Sequence, residues 1–125
     1  MKSKTVMMVA SVIGMIFGIG YMLIPTTMLG FYGATTDAVG ILLGRFFGGS
    51  MLGFAVLLWG ARNAQESDAR RAIELGLFVS FVVAFALSLI SQLSGLMNVL
   101  GWGAVAVFLI FALAFGYLRF FKPGA

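Results

Sequence analysis

The chain has 125 residues, 62% of them hydrophobic and 10% charged, with a net charge of +4. Soluble domains carry about 25% charged residues, so this composition, with a mean hydropathy of +1.10, excludes that class and leaves the lipid bilayer as the expected solvent. The sequence contains neither Cys nor His, which excludes disulfides, thiolate chemistry and the usual ligands of haem, zinc, copper and iron–sulfur centres; no metal and no cofactor is expected.

In hydrocarbon every backbone amide must be satisfied within the protein, and the apolar runs here are continuous rather than alternating, so the predicted class is all-α. The first run, Thr5 to Ile24, stops at Pro25, which cannot continue the amide ladder. Lys2 and Lys4 precede it as in a signal peptide, but this run has 20 residues and no A-x-A site follows. It is therefore read as span one. The segment Pro25 to Gly40 is rich in Thr and Gly and reads as an interfacial loop with room for one short helical turn. Span two covers about 41–61, span three about 72–93 and span four about 99–118. The short uncharged connector "SGLMN" predicts a tight antiparallel hairpin between the last two.

Lys2, Lys4, Arg62, Arg70, Arg71, Arg119 and Lys122 all fall on one side of this arrangement, and the two opposite loops hold no basic residue. The positive-inside rule then puts both termini and the Arg62–Arg71 connector in the cytoplasm. The expectation is a single transmembrane domain over residues 1–125, an integral membrane up-down-up-down four-helix bundle, located in a bacterial plasma membrane. Its eight basic residues are scattered through apolar sequence and form no basic stripe, so nucleic acid is not an expected partner. Membrane lipid is.

Helices in lipid approach closely where small residues recur. Gly14 and Gly18 form such a row in span one, Gly48, Gly49 and Gly53 in span two, and Gly76, Ser80, Ala84 and Ser88 in span three. Either the bundle packs internally on these rows, or an outward-facing row serves self-association.

One permanent cation, Arg45, stands inside span two. It lies 17 residues before Arg62, roughly 25 Å along a helix, which places it just inside the outer edge of the bilayer. At about 100° per residue it shares a face with Gly48, Gly49, Leu52 and Gly53, and so is expected to point into the bundle. Asp37, Tyr32, Ser91, Gln92, Asn98 and Trp102 are expected at the same level. Three readings follow: a cation that snorkels to the headgroups, a structural lock between Arg45 and Asp37, and an outer-leaflet pocket in which Arg45 holds a carboxylate, phosphate or carbonyl. Glu74, one turn after Arg70 and Arg71, reads as an exposed ion-pair partner near a helix N-terminus.

The runs "YMLIP", "FYG", "LLGRFFGGSMLGFAVLLWGAR" and "LMNVLGW" together resemble the small four-helix membrane proteins of the DoxX-like type. That resemblance implies a four-span bundle and no particular activity. Two functions are expected from the residues themselves: a non-enzymatic membrane protein that self-associates or serves as an accessory subunit of a larger membrane complex, or a binding protein for a lipid or isoprenoid-like small molecule anchored by Arg45. An enzyme would have to work with Asp37, Tyr32 and Arg45 alone.

Overall fold

The structure is a computed structural model that describes residues 2–121; Lys122, counted above on the basic side, lies outside the described residues. It is an all-helical bundle of five helices: α1 Ser3–Leu23, α2 Pro25–Phe31, α3 Ala38–Ala61, α4 Asp68–Leu93 and α5 Gly101–Gly116, followed by a π-helical turn at Tyr117–Phe121. Among the described residues, four segments are long and apolar enough to cross a membrane: α1, α3, α4 and Gly101–Phe121.

Local chemistry sets the helix ends. Ile24 is pushed out of the helical region by the proline that follows it, and Pro25 then opens α2 at the one position where a missing amide hydrogen costs nothing. Asp37 caps α3, its carboxylate accepting from the Gly40 amide at 2.9 Å. Ser67 caps α4 in the same way, accepting from the Arg70 amide at 3.2 Å, with Asp68 in the first turn. These caps explain why α3 and α4 begin at Ala38 and Asp68, a few residues before the apolar runs do. At the far end of α4, Gly95 takes φ +79°, and the Gly95 and Leu96 amides donate back to Gln92 and Ser91 carbonyls, closing the helix with the left-handed residue that this turn requires.

Packing divides the molecule into two close pairs, α1 with α3 and α4 with α5. The first pair closes on glycine. A Cβ on Gly48 would lie 2.5 Å from the Met22 amide nitrogen and 2.6 Å from the Gly18 carbonyl oxygen, and one on Gly18 would lie 2.9 Å from the Gly48 carbonyl oxygen. Two turns along, the buried Ser11 hydroxyl donates to the Ala55 carbonyl at 2.6 Å. The second pair uses aromatic rings: Phe81 stacks on Phe111 and Phe115 at centroid distances of 5.2 and 5.7 Å, and the Phe78 ring fills the space beside Gly116.

The two pairs meet over a buried cluster that includes Met7, Leu58, Leu77, Phe115 and Leu118. This cluster joins the start of α1, the end of α3, the start of α4 and the end of α5, here called the terminal end. Glu74 sits in it at 2% exposure, which corrects its reading as an exposed partner. Its carboxylate lies 3.5 Å from both the Arg70 Nε and the Ser3 hydroxyl, because the N-terminus of α1 closes over this turn of α4.

Two of the small-residue rows also read differently. Gly49, Gly53 and Gly76 are exposed, with nothing within 4 Å of a Cβ placed on them, and Ser80 is exposed as well. The face of α3 that touches α1 and α2 runs through Gly44, Gly48, Met51, Ala55 and Leu58, and at 100° per residue Gly53 points roughly 180° from its centre. On α4 the contacts are made by Leu77, Phe78 and Phe81 instead; Ala84 and Ser88 are half-buried.

A candidate ligand cavity between the helix pairs

Toward the opposite end, which carries α2 and the two connecting loops, a cavity of about 680 Å³ lies between the α1/α3 pair and the α4/α5 pair. Its volume is within the range of small-molecule sites, about 300–1,000 Å³. The walls are apolar: Phe17 from α1, Phe47 and Met51 from α3, Phe81 from α4, and Phe108 and Phe111 from α5. The polar groups gather toward the loop end, where Tyr21, Tyr32, Ser88, Ser91 and Gln92 contribute to the lining.

Each polar group is held by its own element. Tyr21 sits near the end of α1 with its ring edge-on to Phe47 at 5.2 Å, and its hydroxyl faces that of Tyr32 at the C-terminus of α2. Ser88 and Ser91 donate their hydroxyl hydrogens to carbonyls one turn back, Phe85 and Ser88, at 3.0 Å each. The Gln92 amide nitrogen donates to the Asn98 carbonyl at 2.9 Å, while its Oε1 is buried and accepts from no group. That oxygen packs against Gly101, where a Cβ would collide with it. Glycine is needed there for close approach.

Of the residues expected from sequence to form a polar cluster, Tyr32, Ser91 and Gln92 line the cavity, and Arg45, Asp37, Asn98 and Trp102 do not. Asn98 is a fastener: its side chain donates to the Phe31 carbonyl at 3.0 Å, its amide donates to the Tyr32 carbonyl at 2.9 Å, and its Oδ1 accepts from Leu100. It ties the α4–α5 loop to α2. Asp37 is engaged as a helix cap, and Trp102 faces outward, 46% exposed. Arg45 is exposed and forms no hydrogen bond or ion pair among the described residues. The lock with Asp37 is therefore not formed. The physical reason is angular: Arg45 lies about 100° from the centre of the α3 contact face, one residue out of register with Gly44.

The sequence reading missed the aromatic walls. Phe108, Phe111 and Phe115 recur at helical spacing on α5 and face Phe81, a row that was visible in the sequence but looked like any other packing stripe. Among the described residues no three His, Cys, Asp or Glu come together in a way that could hold a metal ion.

The chain belongs to the family described as domain of unknown function (DUF8292), which matches residues 8–122. No curated protein and no solved structure matches it.

Proposed function

We propose that this DUF8292 chain is a four-span membrane protein that binds a lipid-like small molecule between its helix pairs. The observation that carries the reading is the cavity itself: about 680 Å³, aromatic along its length and polar toward one end. An accessory subunit that only packs against partners has no need of such a space, and a void of this size lined by Phe and Met costs packing contacts unless something fills it.

The bilayer setting is supported by the outward faces. Ile16, Leu87, Ile110 and Leu113 are each more than 60% exposed, a surface that water would not tolerate but acyl chains would. An up-down-up-down arrangement fits the short connectors, and the concentration of Lys and Arg at the terminal end supports a cytoplasmic position for that end. The cavity then opens near the outer half of the membrane. The DoxX-like resemblance fits the same four-span form.

The test is native mass spectrometry of the full chain released from mild detergent. Wild-type protein is expected to retain a discrete small-molecule mass, and Ala104→Trp, which fills the cavity from α5, is expected to lose it while keeping its helical content. Equal retention by both proteins would remove the cavity from the account.

A further inference from the structure

Resting on that reading, we propose that the ligand is an uncharged lipid ending in a hydroxyl group, of the long-chain or isoprenoid alcohol class. None of the residues that line the cavity is Lys, Arg, Asp or Glu. A phosphate or carboxylate head would be taken out of water with no counter-charge beside it, the most expensive form of polar burial. Arg45, which could have supplied that charge, is exposed and does not line the cavity.

Hydrogen-bonding capacity narrows the head group further. Gln92 gives one of its two side-chain amide hydrogens to Asn98 and keeps the other, while its Oε1 is a buried acceptor with no donor. Ser88 and Ser91 have spent theirs on helix carbonyls, so each shows the cavity only oxygen lone pairs. The facing hydroxyls of Tyr21 and Tyr32 can satisfy one another and leave one O–H over. The polar end thus offers more acceptors than donors. A hydrocarbon uses none of these groups, and an ether or ketone can accept from the remaining donors but leaves the surplus acceptors without a hydrogen. A hydroxyl can give its hydrogen to the Ser88 or Ser91 oxygen, or to Gln92 Oε1 once that side chain turns from Gly101, and can accept the remaining tyrosine O–H.

The polar groups lie toward one end and the rest of the lining is apolar down to Ala10 and Phe111, so a molecule with a small head and a single extended tail matches the walls.

The experiment compares farnesol, farnesyl methyl ether and farnesyl phosphate for binding to the purified full chain in mild detergent. The ether keeps the tail and the oxygen but removes the donor hydrogen; the phosphate adds charge. Wild-type protein is expected to bind farnesol about tenfold more tightly than either analogue, the consequence of one well-placed hydrogen bond in a dry site. In Gln92→Leu the advantage over the ether is expected to fall, with the Ser88 and Ser91 oxygens left as acceptors. Because Gln92 also holds Asn98, the wild-type series decides the matter without the variant. Equal affinity for all three, abolished together by Ala104→Trp, would overturn the hydroxyl inference and leave the cavity reading standing. Tightest binding of the phosphate would overturn it in favour of a cation. Binding that survives Ala104→Trp unchanged would overturn both.

Discussion

Gly48→Ala is the sharpest probe of how the first helix pair is held. The added Cβ would sit 2.5 Å from the Met22 nitrogen, 2.6 Å from the Gly18 oxygen and 2.9 Å from the Tyr21 carbonyl carbon. All three are backbone atoms, so no side-chain rotation relieves the clash and α1 must move outward by about 1 Å to restore ordinary contact. Overpacking of this kind costs about 1–3 kcal/mol. Separation also lengthens the Ser11 bond to Ala55, whose complete loss would add about 1 kcal/mol. The gain in helix propensity from Gly to Ala, about 1 kcal/mol, offsets part of this. The net expectation is a loss of about 1–2 kcal/mol. Gly53→Ala is the matched control, because nothing lies within 4 Å of its Cβ; it keeps only the propensity gain, up to about 1 kcal/mol of stabilisation. Reversible unfolding in mixed detergent micelles, followed by far-UV circular dichroism, should separate the two variants in opposite directions. If Gly53→Ala destabilises as much as Gly48→Ala, the assignment of the α3 contact face is wrong.

Glu74→Ala should cost about 3 kcal/mol, because it leaves the Arg70 guanidinium, only 6% exposed, without its carboxylate. The double change Glu74→Leu with Arg70→Met should recover most of that loss in the same unfolding assay. Arg45→Leu should alter stability by no more than about 0.5 kcal/mol, as for an exposed side chain with no protein partner; a loss well above that would reveal an acceptor in the membrane. For orientation, Gln65→Cys should resist an impermeant thiol reagent applied to intact cells and Ser94→Cys should react with it. The opposite pattern would invert the topology.

Hydropathy alone located the four long apolar helices, because in a bilayer-like composition length and polarity leave little choice of secondary structure. Finer features depended on signals that hydropathy does not carry. The starts of α3 and α4 are set by the Asp37 and Ser67 caps, single polar residues ahead of the apolar runs. The helical face that Arg45 shares with Gly48, Gly49, Leu52 and Gly53 suggests the contact face, and only the partner helix decides that Gly48 is inside and Gly49 and Gly53 are not. Glu74 was read from its i,i+4 neighbours, which say nothing of the α1 terminus that buries it. The cavity was not legible at all. It arises because two helix pairs join at one end over Met7, Leu58, Phe115 and Leu118 and leave space at the other, a relation between elements far apart in the chain.

The most direct measurement is photo-crosslinking with a long-chain alcohol that carries a diazirine in its tail, followed by mapping of the modified residues in the full chain. The account predicts adducts on Met51, Phe81 and Phe108, which face one another across the cavity, with competition by unlabelled farnesol. Adducts confined to the outward-facing Val56, Leu87 and Ile110, insensitive to that competitor, would contradict it: the molecule would then be meeting the protein only as bulk lipid does.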